Sequence, residues 1–239
     1  PTNEPCACKP EKWEAAHGMG YTHFSAERDG LHAEATYLVS PLKNVMLWHL
    51  ELRSDCDRNV TIYPYVELGM MEFMRELQWQ CYNKHQLSVY EKDGVLIYRY
   101  GVENQPKPDE TPLVYFASDV PAAGFDCDRD EFVGSYRSEE APIGLEHEHL
   151  KNSTLFGGDP CFALELPLTL RAGEAKSVNI YLGTEMTESE ISKSLAACKA
   201  PDFFAASMQK LADSWEEFFS GFQCSLPDKD AETMINIWN

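Results

Sequence analysis

The chain has 239 residues, 44% of them hydrophobic, with a formal net charge of −19. That is enough apolar material for the core of a β-sandwich-sized domain and argues against a disordered chain. The acid excess disfavours DNA, RNA and anionic lipid as partners, since each needs a basic surface, and charge breaks every apolar run well short of the about 20 residues that span a bilayer.

Over residues 21–182 the apolar positions recur mostly every second residue, the period of strands buried on one face. Arg28-Asp29-Gly30 predicts a turn. Leu31, Ala33, Ala35, Tyr37 and Val39 then form an inward row, with His32, Glu34 and Thr36 pointing the other way. Met46, Trp48, Leu50 and Leu52 repeat the pattern. So do Val60, Ile62, Pro64 and Val66, with Pro64 predicting an edge or a bulge. Asp93-Gly94 predicts a hairpin. Phe162, Leu164, Leu166, Leu168 and Leu170 form a strand, Ala172-Gly173-Glu174 turns it, and Val178, Ile180 and Leu182 return. Antiparallel sheets joined by hairpins are the natural assembly.

At Thr187 the period becomes helical. Thr187 and Glu190 have capping-box spacing, and Ile191, Leu195 and Cys198 follow at helical intervals. A second helix starts near Pro201, with Phe204, Met208, Leu211, Trp215, Phe218 and Phe222 in one broad stripe that predicts docking on a further domain. Gly221 suits the helix end, and Asp228 is placed to cap a last helix. The division expected is a β-sandwich domain over 1–185, a helical linker over 186–228 and the first helix of a further domain over 229–239. Met234-Ile235-Asn236-Ile237-Trp238-Asn239 open that helix without finishing it, and Pro1 follows no charged and apolar leader. Both ends are therefore expected to lie within a longer, cytoplasmic protein.

Candidate chemistry is sparse. Gly124-Phe125-Asp126-Cys127-Asp128-Arg129-Asp130-Glu131-Phe132 gathers carboxylates around one arginine. A calcium loop would not seat Arg129 among its ligands, so Asp126, Arg129 and Asp130 read as a structural loop in which Arg129 bridges the carboxylates around it. His147-Glu148-His149 could offer two imidazoles on one side of an extended stretch, but reads as an exposed polar loop. His17 is a lone histidine beside Gly18. Eight cysteines are scattered over a chain that needs no staples, so reduced thiols are expected. Cys6-Ala7-Cys8 lacks a second pair at zinc spacing, and no metal is expected. No nucleophile elbow, phosphate-cradling loop or zinc-protease helix occurs.

Several runs taken in order carry a resemblance. His17-Gly18-Met19-Gly20-Tyr21-Thr22, Glu34-Ala35-Thr36-Tyr37-Leu38-Val39, Tyr65-Val66-Glu67, Gly124-Phe125-Asp126, Arg129-Asp130, Phe132, Gly134, Tyr136 and Asn236-Ile237-Trp238-Asn239 resemble successive stretches of the inverting β-glucoside phosphorylases: cellobiose, cellodextrin and chitobiose phosphorylases. The resemblance implies a mainly β fold, an antiparallel, mutarotase-like supersandwich, followed by a helical linker and an (α/α)₆ barrel. It implies cleavage of a β-glucoside by inorganic phosphate, with inversion, to α-glucose 1-phosphate. Phosphate is then a substrate and no cofactor is needed. One carboxylic acid suffices, because the anionic nucleophile needs no general base; in the family that acid is an Asp of the barrel, outside this chain. It also implies a homodimer in which Tyr136, Arg137 and Ser138 face the acceptor sugar, in the neighbouring subunit's site. There Tyr136 would offer a flat face and Arg137 several donors. The runs Gly69-Met70-Met71-Glu72-Phe73-Met74-Arg75-Glu76, Trp79-Gln80-Cys81-Tyr82 and Tyr136-Arg137-Ser138-Glu139-Glu140-Ala141-Pro142 are most similar to cellodextrin phosphorylases. Two other readings remain open on the residues alone. A mutarotase would need a His/Glu acid–base pair inside the sandwich, and a non-catalytic carbohydrate-binding module would need aromatic rings on an exposed sheet face.

Overall fold

The computed structural model describes residues 10–69, 85–101 and 111–237. The Cys6/Cys8 pair, most of the two runs around Met70 and Trp79, and Trp238-Asn239 lie outside them. Strands β1 (Lys12–Gly18), β2 (Tyr21–Arg28), β3 (Leu31–Val39) and β4 (Val45–Ser54) form a meander. β5 (Arg58–Ile62) and β6 (Tyr65–Glu67) leave it for a second sheet, with Pro64 in the break between them as its missing N–H requires. β7 (Leu87–Lys92), β8 (Val95–Tyr100) and β9 (Leu113–Ser118) return to the first sheet, and β10 (Gly124–Asp128) joins the second. β11 (Leu155–Phe156), β12 (Pro160–Leu170) and β13 (Ala175–Glu185) complete the set. The first sheet runs β1-β2-β3-β4-β13-β9-β8-β7-β11. In the second, β12 is flanked by β10 and β5 and also pairs with β6. The fold is thus mainly β, an antiparallel sandwich.

The hairpin turns follow local chemistry. Asp29 and Gly30 have φ of 50° and 68°, and Asp93 and Gly94 have φ of 53° and 77°. Two consecutive left-handed residues make the tight turn whose twist matches a strand pair, and Asp-Gly adopts it at low cost.

Burial departs from a single inward row. Trp48 and Leu50 of β4 pack between the sheets, while Val45 and Leu47 on its opposite face are each 1% exposed. On β3, Val39 was expected inward but is 64% exposed, and Leu38 beside it is 2% exposed. The reason is that both faces of the first sheet are covered only toward its centre, whereas β1 to β3 stay largely half-buried or exposed. The second sheet lies on one, against Phe116, Val178 and Ile180. Helices lie on the other, against Leu38, Tyr115 and Tyr181. A third apolar group, Phe132, Val133, Leu150, Cys161 and Ala163, covers the outer side of the second sheet. The five described cysteines, Cys56, Cys127, Cys161, Cys198 and Cys224, are unpaired.

Four α-helices occur among the described residues, α1 (Arg129–Phe132), α2 (Glu188–Cys198), α3 (Phe203–Ser220) and α4 (Lys229–Ile237), besides a 3-10 turn at Ile143–Glu146. Thr187 caps α2 by accepting from the Glu190 N–H at 3.2 Å, and its hydroxyl also donates to the Glu190 carboxylate at 3.0 Å. Glu188 in the first turn accepts from Tyr90 at 2.7 Å, which ties α2 to β7. On α3, Phe204, Met208 and Leu211 pack on the first sheet; Phe204 stacks on His49 with ring centres 3.9 Å apart. The stripe therefore serves two ends differently, because Phe218 and Phe222 are 67% and 66% exposed. Gly221 ends α3 with helical angles, φ −65° and ψ −27°, so the left-handed freedom of glycine is not used there. Asp228 accepts from the N–H groups of Asp230 and Ala231 at 3.0 and 3.2 Å and starts α4. Asn236 holds both backbone groups of Cys224, each at 2.9 Å.

Candidate functional site

The loop between β10 and β12 begins at α1, a single turn that Asp128 caps by accepting from the Asp130 N–H at 2.9 Å. Phe132 and Val133 bury the end of that turn on the outer face of the second sheet. The chain then reverses at Gly134, whose φ of +100° disfavours any residue with a Cβ. It returns where Ile143 N–H donates to the Val133 carbonyl at 3.1 Å. Residues 135–142 therefore project from a clipped root. Tyr136 at the tip is fully exposed, and Arg137 and Ser138 beside it are exposed too.

Arg129 does bridge carboxylates, but not those next to it in sequence. Its Nε donates to Glu67 Oε1 at 2.7 Å and its Nη2 to Glu139 Oε1 at 3.4 Å. Tyr65 donates to the same Glu67 oxygen at 2.8 Å. Burial alone would raise the Glu67 pKa, but the bonds from Tyr65 and Arg129 outweigh it and hold the carboxyl below its ordinary range. Burial, then the bond to Glu67, pushes the Tyr65 hydroxyl upward. Asp126, expected beside Arg129, is fully buried and instead accepts from the Ser153 N–H at 3.0 Å. Asp130 contributes its backbone N–H to Asp128. The correction has a steric cause: residues along β10 alternate faces, and Arg129 leaves the strand toward β6.

Arg137 pairs with Glu146. Nη1 bonds Oε1 and Nη2 reaches Oε2 at 3.3 Å, across the root of the loop. Both side chains are largely exposed, so water screens the pair and it adds little to stability. Sequence reasoning missed Glu67, Glu139, Glu146 and Tyr65 as members of this site. Tyr65-Val66-Glu67 was the one signal available, since it belongs to the runs that carry the resemblance.

His147 and His149 do not act as a pair. His149 Nδ1 lies 2.8 Å from Glu165 Oε1, and Leu150 N–H donates to Glu165 Oε2 at 2.9 Å. His147 Nε2 is buried without a partner. Among the described residues no three His, Cys, Asp or Glu side chains gather as metal ligands would. His17 meets the Thr22 hydroxyl at 3.1 Å across its own hairpin. The bond to Glu165, then its charge, raises the His149 pKa above the ordinary 6.5. A raised histidine stabilises the fold fully below its unfolded pKa and loses that contribution as pH rises through the folded value. The melting temperature of His149→Gln is thus expected to fall below wild type at pH 6 and to converge with it by pH 9, measured by thermal unfolding across that range. A gap that is constant or widens with pH would exclude a charged His149.

These elements define an antiparallel supersandwich with a helical extension on its larger sheet. A bacterial glucoamylase complexed with acarbose shares the fold, with a TM-score of 0.56 and 9% identity over 87% of this chain and 28% of its own. The chain belongs to the glycosyl hydrolase 94 supersandwich domain family, whose profile matches residues 1–201. The N,N'-diacetylchitobiose phosphorylase of Vibrio furnissii is 27% identical over 95% of the chain and 28% of its own length. The 3-O-beta-D-glucopyranosyl-beta-D-glucuronide phosphorylase of Paenibacillus borealis is 25% identical over 100% of the chain and 31% of its own length. The chain thus spans under a third of either relative.

Proposed function

We propose that the chain is the sandwich and helical connector of an inverting glycoside phosphorylase that acts on β-linked cello-oligosaccharides. The family match over residues 1–201 is the observation that carries this reading. In the reaction a phosphate oxygen bonds to the anomeric carbon as the β-glycosidic C–O bond breaks on the opposite face. A carboxylic acid protonates the departing oxygen, and α-glucose 1-phosphate leaves. That acid belongs to a helical barrel in the rest of a longer, cytoplasmic protein, against which the exposed end of α3 would pack. The sandwich contributes the loop over residues 135–142, with Tyr136, Arg137 and Ser138 directed at the acceptor in a homodimer's neighbouring subunit. Full exposure of Tyr136 on a clipped root supports this part. The mutarotase reading is less favoured: the His149–Glu165 pair alternates with Leu164 and Leu166 and so faces away from the inter-sheet core.

The test is to incubate the longer protein with cellotetraose and phosphate and to assay α-glucose 1-phosphate. Phosphate-dependent release is expected, and the 239-residue chain by itself is expected to release none. Phosphate-independent cleavage, or release by the 239-residue chain, would overturn the proposal.

A further inference from the structure

The tip of the β7–β8 hairpin, residues 118–124 and the end of α2 enclose a cavity of about 440 Å³, within the about 300–1,000 Å³ usual for small-molecule sites. It opens at the Gly124 end of β10, whereas the Arg129 loop leaves the strand's other end. Its floor is Leu96 and Leu164, fixed members of the inter-sheet core, and the half-buried ring of Phe125 borders it.

The walls keep hydrogen-bonding capacity to spare. Glu91 Oε1 accepts from the Gly94 N–H at 2.6 Å, which leaves its second oxygen. Asn152 Oδ1 accepts from the Phe125 N–H at 3.1 Å, which leaves its two amide hydrogens. Asp93 and Lys199 hold no side-chain hydrogen bond among the described residues. Two acceptors and two donors thus surround an apolar floor.

That lining selects a ligand class. Three lining carboxylates, Glu91, Asp93 and Asp119, disfavour phosphate or any other anion. A divalent cation would want clustered oxygen ligands without an ammonium among them, and no three such groups gather among the described residues. A wholly apolar ligand would strip water from four polar groups and return no bond. A pyranose meets both requirements, with C–H faces for the floor and ring and hydroxyls that donate to carboxylates and accept from amide or ammonium. We propose that this cavity binds a neutral saccharide of one or two pyranose units. The inference stands apart from the phosphorylase reading, because binding here needs no catalytic acid and is measured on the chain itself.

Titration of the 239-residue chain with cellobiose, followed by amide NMR, is expected to shift Gly94, Phe125 and Asn152 saturably, with a dissociation constant in about the millimolar range. Asp93→Asn suits the left-handed turn position, and Lys199→Met removes an exposed ammonium, so both are expected to keep the wild-type melting temperature. Each is expected to weaken binding about tenfold. Shifts no larger than those from glycerol, saturable shifts confined to residues 135–142, or unchanged affinity in both variants would each overturn the proposal.

Discussion

Phe162→Ala is expected to destabilise the fold by about 3–5 kcal/mol, the cost of emptying a buried aromatic site that cannot collapse. Phe162 is completely buried and lies parallel to Phe116 of the first sheet, ring centres 5.7 Å apart and planes within 4°. It sits on β12, the strand to which β10, β5 and β6 all pair. Each sheet beside the resulting hole is kept stiff by its own hydrogen-bond ladder, so the backbones cannot close in to fill it. Phe156→Ala provides the control. That ring is 87% exposed, and its loss is expected to cost within about 0.5 kcal/mol. Urea unfolding of both variants decides the matter, with the denaturant slope unchanged if only stability has moved. Equal midpoints for the two would mean that the sheets do not meet at Phe162.

What was legible in the sequence was local. Asp29-Gly30 and Asp93-Gly94 carry their turn type in two residues, Asp228 carries a helix start in one, and the step from period two to helical spacing at Thr187 needs no distant partner. The face each strand buries was only half legible. Alternation tells two faces apart but cannot say that both are covered, so Val39 was placed in the inward row and the burial of Leu38 on the other face was not foreseen. Strand order beyond those two hairpins was not legible. Nothing near β13 shows that it pairs with both β4 and β9, because that follows from the assembly of the whole sheet. The site shows the same division. The loop at Tyr136 was picked out by the resemblance alone, and the partner of Arg129 is Glu67, 62 residues earlier, brought near by the pairing of both β6 and β10 with β12.

That long-range bond leads to the second large effect. Arg129→Ala is expected to cost about 1 kcal/mol, the upper end for ion pairs whose carboxylates are about half exposed, and to loosen the loop that bears Tyr136. The guanidinium is the element joining Glu67 on β6 to Glu139 inside the loop, and its side chain is only 25% exposed. Without it, Glu67 loses its cationic partner and Glu139 loses this link to the sandwich. Arg129→Lys keeps the charge but not the planar fork, so it is expected to recover part of the stability. The pH dependence has a definite sign. Glu67 is held below its ordinary 4.5, so its contribution is present above that value and is lost as pH falls through the lower folded one. The gap between wild type and Arg129→Ala should therefore be full at pH 7 and shrink toward pH 3. Hydrogen exchange supplies the readout that stability alone cannot: amides of residues 135–142 are expected to exchange faster in Arg129→Ala, while those of β12 keep their relative protection. Uniform acceleration throughout the chain would mean that Arg129 merely stabilises the fold, and no acceleration in the loop would free Tyr136 from any dependence on Arg129.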